Sequence, residues 1–533
     1  MCEVILIADS GVDSLSASNP LRLVLDDYPA NIQVVRNFVE HGGKVVPPIA
    51  GDNECSWESA PKFNGIYLYN YLTKRGVRTA LINNYQKEQQ SFRLLARQKP
   101  KVIAISTTYL IHRKSIFQLV AEVRESCPES IIVVGGPFVE LSWRIFEKSD
   151  KASIYNTEEI KQQFLFFLGA EDDPADLYVI SPLGEDSLYG IIQNVLAGEE
   201  SWRSMPNTAH VAENRYLFTP RVDDVTGYKE IPIDWQSLPD EIFAHQVVPV
   251  RASMGCPHKC HFCSFKKDHR LTHIKPLDLL VGELKAIQKR GIKYVWFVDD
   301  NFRLGKNDIE AVCRRFIDEA ISLEWMCLIR PEILKDVDMS LLKQAGCREV
   351  QMGLESADPV ILAKMNKQSD PSQNERVIRD LILAGINCAC YFIFGYPGET
   401  DKSIENTVSF IKRLEEHDGP GHFNWSFYPF LLWPFSPIFD NRGAHDLGGY
   451  LHEWKHHTMD SDQAKRHVLD AFMALDNSSP IYRGDNLDQL SSLPSQQRQL
   501  FLKTRHDLEK LKITNRLDNK IAFDIFAAVF LSD

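Results

Sequence analysis

Residues 251–263 read Arg251-Ala252-Ser253-Met254-Gly255-Cys256-Pro257-His258-Lys259-Cys260-His261-Phe262-Cys263. Three cysteines stand in the spacing C-x3-C-x2-C, directly after an apolar run at 247–252 that reads as a buried strand. With 11 cysteines in 533 residues, chance produces this spacing about 0.005 times per chain. Three thiolates on one tight loop can converge on one metal centre. A [4Fe–4S] cube has four irons, so three cysteines leave one iron open to a small molecule bearing an amine and a carboxylate. Gly255 and Pro257 suit the turn such a wrap requires. A zinc site is the alternative. Its fourth ligand could come from His258, His261, His269 or His273. The end of a βα strand is, however, an unusual place for a zinc-finger-like loop.

Working outward, a βα rhythm fills 246–415. Strand-like runs lie at 247–252, 294–298, 324–328, 349–352, 387–394 and 424–428. Helix-like stretches at 277–290, 306–321, 339–345, 359–365, 374–384 and 400–415 alternate with them. Six such units make a full or partial barrel. Upstream, 61–170 reads as a small doubly wound domain, with continuous apolar strands at 77–82, 102–106 and 131–134 separated by helices. In such domains ligands sit beyond the C-terminal strand ends, here Ser106-Thr107-Thr108 and Gly135-Gly136. The expected organisation is an α/β chain. It has an extension at 1–60, a Rossmann-like domain at 61–170, a connector at 171–245, the barrel at 246–440 and helices at 441–533.

At about 150 residues per domain, 533 residues suggest three or four domain-sized units. The 44 % apolar and 25 % charged composition is globular. A net charge of −12 argues against a chain that grips a nucleic-acid backbone. The start, Met1-Cys2-Glu3-Val4-Ile5-Leu6-Ile7-Ala8-Asp9, has an acid at position 3 and a short apolar run; it lacks the basic region of a secretion signal and reads as a buried strand. No apolar run reaches the ~18 residues of a membrane span. With an odd cysteine count and no such signal, the expectation is a cytoplasmic chain of reduced thiols, most of the eight scattered cysteines being buried.

The cysteine segment, with the aromatic Phe262 before its third cysteine, resembles the radical S-adenosylmethionine (SAM) enzymes. Four further motifs follow in order. They are Trp296-Phe297-Val298-Asp299-Asp300-Asn301-Phe302, Trp325 with Arg330-Pro331, and Gln351-Met352-Gly353-Leu354-Glu355-Ser356 with Met365-Asn366-Lys367. The last is Tyr391-Phe392-Ile393-Phe394-Gly395-Tyr396-Pro397-Gly398-Glu399-Thr400. The resemblance implies that Cys256, Cys260 and Cys263 hold a [4Fe–4S] cluster. It also implies that Phe262, Glu355, Ser356, Gly395 and Pro397 line the SAM site, with Glu355 on the ribose. Each has a plainer alternative: Glu355 as a surface acid, Gly395–Gly398 as a strand-to-helix turn. Asp299 and Asp300 could bind substrate or cap the following helix. Arg330 could meet the SAM carboxylate or form a structural ion pair.

A Rossmann-like domain ahead of such a barrel resembles the cobalamin-binding radical SAM subclass. Thr108-x-Leu110, 24 residues and then Gly135-Gly136 resemble its corrinoid pattern, and Gly184-Glu185 resemble a later strand-end turn. The D-x-H-x-x-G motif that supplies a lower cobalt ligand elsewhere is absent, since the second strand ends Ile82-Asn83-Asn84-Tyr85. A domain of this shape without a corrinoid is the alternative. The resemblance implies a cobalamin-dependent C-methyltransferase. SAM cleavage to a 5′-deoxyadenosyl radical would activate an unreactive carbon of a small molecule. A flavodoxin or ferredoxin would serve as reductant. Radical cyclisation, rearrangement or oxidation without methyl transfer is the nearest rival, and a zinc-stabilised binding module the rival from another class. The aromatic stretch from Phe427 to Met459 could close the barrel mouth over a substrate or be plain core.

Overall fold

The computed structural model describes residues 2–11, 23–47, 60–222, 232–264, 273–303, 309–475 and 493–530. The chain divides into two compact units, residues 1–18 with 61–238, and residues 19–60 with 239–533.

The first unit is built on β1 (Val4–Ile7), β2 (Thr79–Ile82), β3 (Val102–Ser106), β4 (Ile131–Gly135), β5 (Leu177–Val179), β6 (Thr208–Ala212) and β7 (Arg215–Phe218). Their order in the sheet is β2-β1-β3-β4-β5-β6-β7. The first five run parallel and the last two are added antiparallel. Every side chain of β1 and β3 is buried, so these strands are apolar on both faces. Helices Phe63–Thr73, Arg113–Ser126, Pro137–Ser149 and Glu185–Ala197 connect and cover them. The parallel order is flavodoxin-like and reverses between β1 and β3, so the ligand crevice of such a sheet opens beyond Ile7 and Ser106.

Two expected boundaries are corrected here. Residues 1–60 are not a separate extension, because β1 pairs with both β2 and β3 at the centre of the sheet. The connector at 171–245 supplies β5, the helix Glu185–Ala197 and the β6–β7 hairpin.

The second unit carries β8 (Val247–Val250), β9 (Tyr294–Phe297), β10 (Glu324–Leu328), β11 (Cys347–Glu355), β12 (Asn387–Phe394) and β13 (Phe423–Pro429). They pair in chain order, all parallel, as a six-stranded partial barrel. Helices Leu277–Lys289, Ile309–Asp318, Met339–Gln344, Pro359–Lys364, Pro371–Leu383 and Asp401–Glu415 alternate with the strands. Consecutive parallel strands place all C-terminal ends on one rim, the position where barrel enzymes build their sites.

Two further pieces complete this unit. The helix Ile32–Glu40, capped by Asn31, buries Val34, Val35 and Phe38 against Phe501, Leu508 and Phe526 of helices Ser495–Ile513 and Asn519–Phe530. The expected all-helical tail also contains a hairpin, Gly448–Tyr450 with Glu453–Lys455. Among the described residues no helix is long and apolar enough to cross a membrane.

Candidate active site

The cysteine loop leaves the barrel at the end of β8 and is tied to the end of β9 by two carboxylates. Asp299 accepts from the backbone N–H of Ala252 at 3.3 Å and also from that of Ser253. Asp300 accepts from Gly255 N–H at 2.8 Å. Gly255 has φ +78°, a turn conformation that glycine adopts without strain. Asp299 is fully buried, and desolvation pushes its carboxyl up to about 7 despite its N–H donors. The acidic pair therefore braces the cysteine loop, a role that neither expected reading, substrate contact or helix cap, assigned to it.

A second clamp holds the far half of the loop. His261 N–H donates to Met365 O at 2.8 Å, and Asn366 Nδ2 donates to Lys259 O at 2.7 Å. Both partners lie just after the helix Pro359–Lys364 that follows β11. Cys260 is buried, while Cys256, Phe262 and Cys263 are half-buried. Arg330, at the end of β10, aims Nη1 at Cys260 Sγ, 3.5 Å away. Its Nε donates to Glu332 Oε2 at 3.0 Å and its Nη2 to the Lys367 carbonyl. Arg330 therefore does form an ion pair, with Glu332, and it touches a cysteine of the loop as well.

Lys367 continues the chain of contacts. Its buried Nζ donates to Glu355 Oε1 at 2.9 Å. Glu355 ends β11 with φ +66°, where the pairing with β12 shifts register. A Cβ on Gly353 would collide with its carboxylate, so that glycine makes room for the acid. Cys260, Arg330, Lys367 and Glu355 thus form one connected rim across three strand ends. Glu355 is buried, so the surface-acid alternative is excluded. Ser356 lies below the rim, where its hydroxyl accepts from Asp358 N–H at 3.1 Å and meets Thr407 Oγ1 at 3.3 Å.

The turn after β12 is packed against protein. Gly395 has φ +94°, and a Cβ there would stand 2.5 Å from Trp454 Cη2 and 2.7 Å from Ala464 Cβ. A side chain at Gly395 would therefore meet Trp454 of the C-terminal hairpin and Ala464 of the helix Ser461–Ala474. His456 ring nitrogen meets Gly395 O at 3.0 Å, and Gly398 N–H donates to Thr458 at 3.2 Å. Pro397 is buried in this turn. Trp454 stacks on His456, and both are buried. This part of the aromatic stretch is core.

In the first unit, Thr108 is exposed at the end of β3 and its hydroxyl meets Ser106 Oγ at 3.0 Å. Leu110 is fully buried and anchors that turn. Gly136 has φ +114°, with Thr107 filling the space its side chain would need, and Gly135 packs on Val179. A side chain at either glycine would meet the chain's own neighbours. Gly184 caps and Glu185 begins the helix after β5.

The donor set fits an iron–sulfur cluster: three thiols on one doubly clamped loop at the catalytic rim, one of them facing a guanidinium. Among the described residues no three His, Cys, Asp or Glu side chains form a ligand group for a metal ion. A cluster differs in taking each thiolate on a separate iron. Three of the scattered thiols are of another kind: Cys327, Cys347 and Cys388 are wholly buried, and desolvation pushes each well above the ordinary range. Cys55 and His269 lie outside the described residues.

The clamped loop on a six-stranded parallel half-barrel defines a class. Residues 250–411 match the radical SAM superfamily. An uncharacterized methyltransferase of Pyrococcus horikoshii is 31 % identical over 200 residues, covering 36 % of this chain and 43 % of that protein. An anaerobic magnesium-protoporphyrin IX monomethyl ester cyclase of Cereibacter sphaeroides is 25 % identical over 293 residues, covering 52 % and 47 %. The chain thus spans less than half the length of these curated relatives. Among solved structures, the cobalamin-dependent SAM radical enzyme OxsB superposes with TM-score 0.58 at 15 % identity, covering 100 % of this chain and 76 % of that one. The radical SAM methyltransferase TsrM of Kitasatospora setae superposes with TM-score 0.54 at 16 % identity, covering 82 % and 77 %. The chain shares their fold.

Proposed function

We propose that this chain is a cobalamin-dependent radical SAM enzyme that methylates an unactivated carbon of a small molecule. The observation that carries the reading is the rim Cys260–Arg330–Lys367–Glu355, which joins the cysteine loop to an acid at the end of β11. Cys256, Cys260 and Cys263 would hold the cluster, Glu355 the SAM ribose, and the strand ends at Thr108, Gly135 and Gly184 the corrinoid. When bound, these groups supply one-electron cleavage of SAM and a transferable methyl group. The chain's own residues hold the geometry. Asp299 and Asp300 fix the loop backbone, Lys367 orients the Glu355 carboxylate, and the turn at Gly395 packs against Trp454 and Ala464. A flavodoxin or ferredoxin as reductant and a cytoplasmic setting accompany this reading.

A flavodoxin-like sheet ahead of the barrel and the methyltransferase names of two similar proteins favour methyl transfer. The similarity to a cyclase over 52 % of the chain favours the second reading, a radical reaction without methyl transfer. Product mass decides between them: methylation adds one CH2 per turnover, and cyclisation adds none. Cys260→Ala is expected to abolish both iron binding and 5′-deoxyadenosine formation. Retention of both would refute the cluster assignment.

A further inference from the structure

Arg330 was expected to meet either a SAM carboxylate or a structural acid, yet its donors are almost all committed. A guanidinium offers five N–H groups in a fixed fork. Glu332 takes two of them, from Nε at 3.0 Å and from Nη2 at 3.3 Å. The Lys367 carbonyl takes another from Nη2, and Nη1 directs a fourth at Cys260 Sγ, 3.5 Å away. One N–H is left, so the bidentate fork that carboxylate recognition uses is not on offer. The side chain is also fixed in place, being buried and held at three points. What it presents to the loop is a positive charge and an N–H aimed at one sulfur.

Hydrogen bonds and positive charge at ligand sulfurs favour the reduced, more negative state of an iron–sulfur cluster. We propose that Arg330 is a positioning residue that hydrogen-bonds the Cys260 thiolate and makes the cluster easier to reduce, with Glu332 setting how much of its charge reaches the sulfur. The inference rests on the reading of the cysteine loop as a cluster site. It gives the two residues opposite signs. Removing the guanidinium lowers the midpoint potential, and neutralising Glu332 raises it. A merely structural role for the pair would loosen the loop in the same way whichever partner is removed.

The test uses the full chain, reconstituted anaerobically with iron and sulfide, its iron quantified before any titration. Midpoint potentials are then read by electron paramagnetic resonance for wild type, Arg330→Met, Arg330→Lys and Glu332→Gln. Arg330→Met is expected to lower the reduced-to-oxidised ratio at fixed poise about tenfold, or 59 mV for a one-electron couple. Arg330→Lys is expected to fall between it and wild type, and Glu332→Gln to shift upward. Equal potentials in iron-loaded variants, or shifts of one sign in both Arg330→Met and Glu332→Gln, would overturn the inference. If Arg330→Met takes up no iron, Glu332→Gln decides alone, and an unshifted or lowered potential there counts against it. Failure of the wild type to take up iron is a different result and would defeat the cluster reading itself.

Discussion

Glu399, in the turn after β12, makes a stability prediction with a definite pH signature. Its Oε2 accepts from Gly395 N–H at 2.6 Å, while Oε1 is buried with no hydrogen-bond partner among the described residues. Desolvation, with a smaller contribution from Asp358, pushes its carboxyl from 4.5 up to about 8. An acid whose folded pKa lies above its unfolded pKa weakens folding wherever the unfolded chain ionises it. The native state therefore keeps its full stability below pH 4.5 and loses it progressively as pH rises toward 8. At 1.36 kcal/mol per unit, the loss is about 1 kcal/mol at pH 5, about 3 at pH 7 and about 5 at pH 8.5. Glu399→Gln keeps an acceptor for Gly395 N–H and cannot ionise. Relative to wild type, the variant should gain about 4 kcal/mol between pH 5 and pH 8.5. Urea denaturation of both proteins followed by tryptophan fluorescence at pH 5, 7 and 8.5 measures this, because every other titrating group is common to the pair. A difference between the two proteins that does not change with pH would refute the reasoning.

Three other perturbations follow from the same geometry. Lys367→Met strands Glu355 as an unpaired buried acid and is expected to cost about 3–5 kcal/mol in unfolding experiments, with SAM affinity in calorimetry falling at least about tenfold. Gly395→Ala combines a strained φ with overpacking against Trp454, and a loss of about 2–5 kcal/mol is expected; Trp454→Leu in the same chain should recover part of it in a double-mutant cycle. Asp299→Ala leaves the Ala252 and Ser253 N–H groups without their acceptor and is expected to cost about 2–4 kcal/mol, together with lower iron retention per chain after gel filtration.

The barrel was legible because most of its strands carry apolar runs spaced by helix-like stretches. Glu324–Leu328 and Asn387–Phe394 begin and end where hydrophobic patterning places them. The place of β1 was not, because its partners begin at Thr79 and Val102, far along the chain, and local pattern carries no record of pairing. β5 is only three residues long, and the hairpin strand Gly448–Tyr450 contains two glycines, so neither shows a period. At the candidate site, the cysteine spacing and the family resemblance singled out the cysteines, Arg330 and Glu355 but carried no record of the contacts among them. Glu332 follows Arg330 by two residues and Lys367 was visible in its motif, yet neither spacing says which carboxylate meets which cation. The glycines show the limit most clearly. Gly395 and Gly136 signal close approach, and only the fold reveals that Trp454 and Thr107 are what approach.

Metal content tests the central claim most directly. The chain would be expressed and purified anaerobically with cobalamin supplied, and iron, zinc and cobalt counted per polypeptide. About four irons on the three cysteines and about one cobalt per chain are expected. Iron without cobalt would leave the radical chemistry standing and contradict the corrinoid role of the first unit; zinc alone would contradict the enzyme reading as a whole.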